Sequence, residues 1–216
     1  MQYFTTSLRA LQFGGWMVYP LLALGVISVA VLLDKIFVYV RYCGLPQRIV
    51  QIAQTYNFAW AQLEQYIATV PQGSYYRRFI EVIIDNRTNP PWWVESRAAD
   101  EAQLIEMSLN RGLWILETIV TAAPLVGLVG TIIGMMESFR FIGTSGLVNP
   151  TGITGGVAQA LIATTLGIVI ALIALFSFNF FCHLHANTMD KMERLGTRLI
   201  DRIRMTLEED AKGDSA

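Results

Sequence analysis

Small and hydroxyl-bearing side chains recur at helical spacing inside an apolar segment of this 216-residue chain. They follow one another at intervals of three or four residues, so at about 100° per residue they share one helical face. The members of this face are Pro124, Gly127, Thr131, Gly134 and Ser138. Large aliphatic side chains lie opposite. Because polar groups at membrane depth tend to face a protein interior or a water path, the pattern predicts a water-accessible lining.

A second apolar segment carries a stripe of glycine and alanine, which lets helix backbones approach closely in lipid. Its members are Gly156, Ala160, Ala163, Gly167, Ala171 and Ala174. We expect this stripe to pack against another helix. Gln159, Thr164 and Thr165 flank the stripe and are predicted to join the polar lining. A single membrane threonine usually bonds a carbonyl of its own helix, so packing alone is the alternative for each.

The chain offers little chemistry of its own to act on a small substrate. Glu117 and Glu137 only bracket the first segment, so a titrating carboxylate at mid-membrane would have to come from a partner. We find no nucleophile–base pair, P-loop or dinucleotide fingerprint, and we predict no catalysis and no cofactor. His183 and His185 stand at the edge of an apolar segment and predict an interfacial position, not a metal site. A net charge of −1 argues against nucleic acid as a partner.

The composition is that of a membrane protein, with 53% hydrophobic and 15% charged residues. Residues 16–33 are uncharged and nearly long enough to cross a hydrocarbon core of about 30 Å. A cleaved signal peptide is the alternative, but no small-residue cleavage site follows. Residues 118–136 form a second uncharged run, and residues 141–182 contain no Asp, Glu, Lys or Arg. Turn-forming residues over 143–152 divide the last stretch into a loop and a third span.

Basic residues predict the orientation, because they accumulate on the inner side. Only Arg9 precedes the first span, whereas five basic residues follow the third: Lys191, Arg194, Arg198, Arg202 and Arg204. The N-terminus is therefore expected outside and the C-terminus inside, with Arg140 as the one exception. This puts Cys43 and Cys182 near a reducing compartment, which favours free thiols over a disulfide.

The polar regions predict further helices on the inner side. Pro71, Gly73 and the Asn89–Pro91 stop divide residues 42–91 into short helices. An apolar stripe then runs without an evident breaker into the second span, which predicts one long helix. Its members are Val94, Ala98, Ala102, Ile105, Leu109, Leu113 and Leu116. A similar stripe follows the third span, formed by Met192, Leu195, Leu199, Ile203 and Leu207. One copy offers few helices to cover these stripes, so we expect a homo-oligomer.

Two segments carry a resemblance to a known family. TAAPLVGLVGTIIGMMESF over Thr121–Phe139 and GVAQALIATTLGIVIALIALFSFN over Gly156–Asn179 resemble the ExbB/TolQ/MotA family of proton-channel subunits. The Pro-Leu-x-Gly-Leu-x-Gly-Thr segment is its most distinctive signature, and Ala-Leu-Ile-Ala-Thr-Thr-x-Gly reinforces it. Length and the small outer loop make the chain more similar to ExbB than to MotA, and TolQ is the open alternative.

The resemblance implies an all-α inner-membrane protein of bacteria, assembled as a pentamer around a pair of single-span ExbD-like helices. Protons moving inward would protonate an Asp of the partner, and a TonB-like protein would use the motion for outer-membrane uptake. It also implies that Thr131 and Thr164 line the central cavity. Many family members have Glu where this chain has Gln159, so a carboxylate there is not part of its mechanism. A non-conducting scaffold in the lipid bilayer is the alternative function.

The expected organisation combines the spans, the orientation and the resemblance. Three transmembrane helices over 16–40, 113–140 and 153–182 alternate with segments on both sides. The outer, periplasmic parts are an N-terminal segment over 1–15 and a loop over 141–152. The inner, cytoplasmic parts are a helical domain over 41–112 and a helix with a tail over 183–216. The second and third spans are expected to extend far into the cytoplasm.

Overall fold

The computed structural model describes residues 15–44, 49, 52, 58–140 and 150–213, with side chains only up to residue 208 at its C-terminal end. Within these ranges the regular structure is helical, as predicted. The predicted N-terminal segment up to residue 14 and the predicted loop over 141–149 lie outside the described residues. The helices are α1 (Val18–Tyr42), α2 (Trp60–Ala68), α3 (Tyr75–Asp85), α4 (Pro91–Asn110), α5 (Leu113–Arg140) and α6 (Pro150–Gly213).

Three of the described helical stretches are long and apolar enough to cross a membrane, which confirms the predicted membrane class. They are α1, the consecutive pair α4 and α5, and α6. The chain divides into two compact units. The apolar unit contains the residues before Lys35 together with Gly112–Phe181, and the polar unit contains Lys35–Arg111 and the residues from Cys182 onward.

The apolar unit exposes large hydrophobic side chains over much of its surface. Leu125 is 61% exposed and Phe176 is 72% exposed. Contiguous apolar surface of this kind fits lipid, where no hydrophobic force opposes the exposure. Trp16 and Tyr19 are exposed near the start of α1, and Trp114 is exposed near the start of α5. Amphipathic rings are typical of the interfaces between a bilayer and water.

The polar unit has its own hydrophobic core, formed by α2, α3, α4 and the last part of α6. Aliphatic and aromatic side chains from all four helices are fully buried in it, among them Leu63, Ile67, Tyr76, Ile80, Ile83, Val94, Ile105 and Met192. The short helices end where the prolines predicted: α2 ends before Pro71, and α4 begins at Pro91. Pro at the first helical position is favourable because its missing N–H would have no partner there.

Most members of the two predicted apolar stripes are buried within a single chain, so the reason first given for an oligomer does not hold. Val94, Ile105 and Leu109 of α4 and Met192 of α6 belong to the core of the polar unit. The short helices α2 and α3 supply the cover that the sequence argument had assigned to other copies. Leu207 was predicted in the second stripe, but it is 43% exposed.

The long helix predicted through the second span is interrupted. Arg111 and Gly112 form a turn between α4 and α5, and Gly112 has φ +84°. This left-handed conformation is open to glycine and strained for other residues. The apolar stripe continues through the turn, and for that reason periodicity alone did not reveal the break. Glycine immediately after a periodic run was the available signal.

A buried lysine binds the end of α4. Lys35 is 2% exposed, and its Nζ donates a hydrogen bond of 2.8 Å to the Leu109 carbonyl. The last four carbonyls of a helix have no partner within the helix, and a cation there also interacts favourably with the helix dipole. Lys35 follows Asp34 directly after the uncharged run over 16–33. Its position in an apolar run that continues to Val40 was a signal of burial.

Replacing Lys35 should destabilise the polar unit. In Lys35→Met the Leu109 carbonyl loses a charge-assisted hydrogen bond, which is worth roughly 1.5–3 kcal/mol. We expect a lower midpoint of thermal unfolding in detergent, measured by circular dichroism. Arg41→Met is the matched control, because Arg41 is an exposed cation of the same helix, and it should leave the midpoint unchanged. Equal midpoints for the two variants would contradict the capping role of Lys35.

Burial in the polar unit also changes the acidity of two side chains. It raises the pKa of Tyr76 to about 12 and the pKa of the Cys43 thiol to about 11. The nearby Lys35 ammonium opposes the second shift without cancelling it. Since the thiolate is the nucleophile, Cys43 is held in an unreactive form near neutral pH.

Alkylation of Cys43 should therefore be slow and strongly pH-dependent. In a Cys182→Ser background, the rate of modification by a maleimide should rise about tenfold per pH unit between pH 7 and 9, because the thiolate fraction rises by that factor below the pKa. The same protein denatured in detergent should react much faster at pH 7. A native rate at pH 7 equal to the denatured rate would contradict the burial of this thiol.

Candidate functional site

Helix α5 and the first part of α6 pack against each other in the apolar unit through close backbone contacts. A methyl group added at Gly127 would lie 3.0 Å from the Ala163 carbonyl oxygen. One added at Gly134 would lie 2.9 Å from the Gly156 oxygen, and one at Gly167 would lie 2.5 Å from the Ala123 oxygen. Positions further along α5 thus contact positions earlier in α6, so the two helices are antiparallel.

The predicted packing stripe lies in this part of the fold, buried along its whole length. Each of its members is buried: Gly156, Ala160, Ala163, Gly167, Ala171 and Ala174. The glycines admit neighbouring backbone where a side chain would collide. In lipid no hydrophobic force draws helices together, so the van der Waals attraction of such close contact holds them.

Three residues predicted to line a polar surface lie in the same helix contact. Gly127, Gly134 and Ser138 are buried. The Ser138 hydroxyl donates to the Gly134 carbonyl at 2.9 Å and also lies 3.3 Å from the Ile153 carbonyl. Within one chain these three residues pack α5 against α6. The helical wheel grouped them with Thr131 because the packing face and the hydroxyl-bearing edge of α5 are adjacent.

The threonine hydroxyls donate to backbone carbonyls. Thr164 donates across the helix contact to the Gly127 carbonyl at 3.1 Å. Thr131 donates to Leu128 at 2.6 Å and Thr165 to Leu161 at 2.8 Å, both within their own helices. A hydroxyl that donates its hydrogen still has lone pairs that accept. These side chains therefore present acceptor oxygens, which suit a proton donor or a cation.

Thr131 and Thr164 lie on the same edge of the helix pair. Each follows a packing residue by four positions, Gly127 in α5 and Ala160 in α6, so each is rotated roughly 40° from the contact. Because the helices are antiparallel, the two rotations turn toward a common edge. Pro124 of α5 is rotated roughly 60° in the same direction. We call Pro124, Thr131 and Thr164 the threonine edge; all three are half-buried. Thr165, which was predicted with them, is exposed and rotated roughly 140° from the contact, so it lies outside this edge.

Gln159 lies on the opposite edge, away from the threonines with which it was predicted. Its side-chain amide packs directly against Gly15, which has φ +66°. It precedes Ala160 by one residue and is rotated roughly 100° the other way. The sequence pattern could not separate these positions, because the segment that covers this edge is distant in the chain.

Helix α1 and the residues before it cover the Gln159 edge. A methyl group on Gly130 would lie 3.5 Å from Cβ of Met17, and one on Gly25 would lie 3.5 Å from the Ile170 side chain. These contacts of α1 and of the residues before it are therefore on the Gln159 side of the α5–α6 pair. The threonine edge is on the other side, where a further helix can approach.

The ends of α5 carry the nearest carboxylates. Glu117 is exposed near the first turn, and Glu137 is half-buried near the last. Between them, residues 118–136 contain no ionisable side chain. Among the described residues no three His, Cys, Asp or Glu side chains are grouped to hold a metal ion. The site can accept hydrogen bonds, but residues 118–136 of α5 and 150–181 of α6 contain no group that exchanges a proton.

These features define a membrane protein whose helices pack through small residues and present a hydroxyl-bearing edge. Residues 71–194 match the MotA/TolQ/ExbB proton channel family. The chain belongs to this family, which makes it a subunit of a proton-channel motor embedded in a membrane and not a member of an enzyme family.

Named relatives agree with this assignment. Over 180 residues the chain is 31% identical to a putative biopolymer transport protein ExbB-like 3 of Synechocystis sp., which covers 80% of this chain and 83% of the relative. It is 28% identical over 200 residues to a putative ExbB homolog of Methanothermobacter thermautotrophicus, covering 89% and 69%. The biopolymer transport protein ExbB of Aquifex aeolicus is 42% identical over 80 residues, covering 37% and 53%.

The helix contact predicts a sharp difference between two glycines of α6. Gly167→Leu should prevent the α5–α6 contact, because a Cβ there already meets the Ala123 backbone. Gly155→Leu is the matched control, since a Cβ at Gly155 meets nothing within 4 Å. We expect only Gly167→Leu to abolish folded protein in membranes, measured as monodisperse protein after detergent extraction. Equal yields of the two variants would contradict the packing described above.

Proposed function

We propose that this chain is an ExbB-like subunit of an inner-membrane motor driven by the proton-motive force. In this proposal five copies surround a pair of single-span ExbD-like helices, and a TonB-like protein uses the motion to energise outer-membrane transport. The observation that carries the proposal is the threonine edge of α5 and α6, on the side of the pair away from α1. Membership of the proton channel family and the relatives named ExbB support it.

The chemistry of the threonine edge fits a passage that needs a partner. Its hydroxyl oxygens can accept hydrogen bonds from water or hydronium, but threonine does not exchange protons near neutral pH. The carboxylate that takes up and releases the proton is therefore assigned to the ExbD-like helix. A charge at mid-membrane costs about 2.5–3.5 kcal/mol on insertion scales, and acceptor oxygens around the partner's helix would reduce that cost.

We further propose that the polar unit lies in the cytoplasm and that the N-terminus is periplasmic. The basic residues after residue 182 support this orientation through the positive-inside rule. Exposed Trp16 and Trp114 would then mark the outer and inner interfaces. The spans are assigned to residues 16–40, 113–140 and 153–182, and α4 and the end of α6 extend into the cytoplasm.

A non-conducting scaffold is the second candidate function. The observation that favours it is that Gly127, Gly134 and Ser138 are buried in the helix contact of a single chain. On this view the small residues serve packing alone, and the threonines only satisfy backbone carbonyls. A TolQ-like envelope motor would share the proposed chemistry and differ in the protein that it drives.

The two candidates differ in their response to loss of one hydroxyl. Thr131→Val removes the acceptor oxygen of α5 and keeps the shape of the side chain. Thr118→Val is the matched control, because Thr118 also donates to a carbonyl of its own helix but lies roughly 140° away around α5. Each variant is reconstituted with the single-span partner in liposomes, and proton entry is followed with a pH-sensitive dye under an imposed potential.

For a motor subunit, we expect Thr131→Val to reduce proton entry at least about tenfold, an effect typical of losing one preorganised polar group, and Thr118→Val to leave it unchanged. Thr131→Ser should restore most of the activity because it returns the hydroxyl. Full proton entry through Thr131→Val, with the partner bound, would favour the scaffold.

A further inference from the structure

A histidine of α6 is buried in the polar unit, and one nitrogen of its ring lacks a hydrogen-bond partner. His185 is 9% exposed, and its Nε2 makes no hydrogen bond within the described ranges. His183, two residues earlier, is exposed. The proposed function uses neither histidine. Because most buried polar side-chain atoms in folded proteins have a partner, the bare nitrogen of His185 needs an explanation.

His185 lies on the side of α6 that faces α1, close to the buried Lys35. It stands between Cys182 and Thr188, three residues from each, and both of these side chains are near the Tyr39 phenol of α1. Tyr39 is about one turn after Lys35 in the same helix, and it packs against the core of the polar unit. The imidazole and the Lys35 ammonium are therefore in the same part of this core.

The charged groups that act on the imidazole come from two other helices. Burial, the largest effect, lowers the pKa of His185 below its ordinary value; Glu106 of α4 opposes this shift and Lys35 of α1 adds to it. The other titratable groups in this part of the core are the Cys182 thiol of α6 and the phenol of Tyr76 in α3, which is near Thr188. Both are uncharged near neutral pH.

The neutral ring fits this position, and the protonated ring does not. A neutral imidazole can leave Nε2 without a hydrogen, whereas a protonated imidazole has a donor hydrogen on both nitrogens. At His185 the added hydrogen would have no acceptor among the described residues. The new charge would also lie in the interior near the Lys35 ammonium, and a buried charge without a partner is costly. Protonation therefore requires the ring to leave the interior.

We propose that His185 is a pH-sensitive switch in the polar unit. At neutral pH the uncharged ring stays buried near Lys35, whose Nζ caps the Leu109 carbonyl at 2.8 Å. At acid pH the protonated ring turns outward to the exposed Glu106 carboxylate, and the capping hydrogen bond opens to water. The last turn of α4, just before the turn at Gly112, then frays.

The switch adds regulation to the proposed function and rests on that function in one respect. The proposed orientation places the polar unit in the compartment that the protons enter. When a motor acidifies this compartment, protonation of His185 would loosen the motor's own polar unit and so limit further proton entry. The switch itself requires neither the single-span partner nor a proton flux.

Hydrogen exchange of the full-length chain in detergent, read by mass spectrometry, tests the switch. Stability that depends on an uncharged histidine is present above about pH 6.5 and is lost as the pH falls through the lower pKa of the folded state. Protection of residues 105–110, corrected for intrinsic exchange rates, should therefore fall severalfold between about pH 7.5 and about pH 5. In His185→Gln it should be the same at both pH values. His183→Gln is the matched control and should behave like the wild type.

The titration of the ring can be followed directly. The chain has two histidines, so His183→Gln leaves a single imidazole signal in the NMR spectrum of protein labelled at histidine with carbon-13. In this background Lys35→Met removes a nearby cation, and the midpoint of the titration should move to higher pH. Glu106→Gln removes the carboxylate that favours the charged ring, so the midpoint should move to lower pH. Glu106 is exposed, and its replacement should not disturb folding.

Three results would overturn the switch. They are a loss of protection that persists in His185→Gln, an imidazole that titrates without any change in hydrogen exchange, and a titration midpoint that neither Lys35→Met nor Glu106→Gln moves. None of these measurements involves the single-span partner or proton entry. Failure of the switch is therefore distinguishable from failure of the proposed motor, which the Thr131→Val experiment tests.

Discussion

The apolar unit depends on backbone contact between α5 and α6. A Cβ atom added at Gly127, Gly134 or Gly167 would lie only 2.5–3.0 Å from a carbonyl oxygen of the facing helix. In water, burial of large apolar side chains would supply the attraction between helices. In lipid the hydrophobic attraction between helices is absent, and the van der Waals attraction of close contact takes its place. The hydroxyl positions follow from this contact, because Thr164 reaches the Gly127 carbonyl only across helices that nearly touch.

The same contact separates residues that the sequence pattern had grouped. A helical wheel shows that Gly127, Thr131 and Ser138 lie within one sector, but it cannot show where a neighbour's surface ends. Three of the five lining residues predicted in α5, namely Gly127, Gly134 and Ser138, lie in the helix contact of the single chain, and Thr131 lies just beyond its edge. Gln159 was misplaced for a different reason. Its neighbour Gly15 lies far away in the chain, and a pattern confined to one helix contains no information on such a pair.

Much of the fold follows from composition and periodicity. Apolar length predicts the membrane helices, and proline and glycine predict the end of α2 and the start of α4. The break before α5 was missed because its apolar stripe continues in phase across Gly112. The burial of Lys35 was not predicted, because charge in a sequence indicates exposure on average, whereas this ammonium satisfies a helix end in the interior of the polar unit. The Lys35–Leu109 contact joins segments distant in the chain, which periodicity along one helix does not reveal.

The composition of the α5–α6 pair sets a requirement that the chain alone does not meet. A proton path needs a group that binds and releases a proton, yet residues 118–136 and 141–181 contain only hydroxyl, amide and apolar side chains. The threonine oxygens can stabilise a charge that passes, but they cannot store it. Gln159 does not fill the gap, because an amide does not titrate and its side chain packs on Gly15. In the proposed motor a carboxylate therefore approaches the threonine edge from another chain, on the side of the pair away from α1.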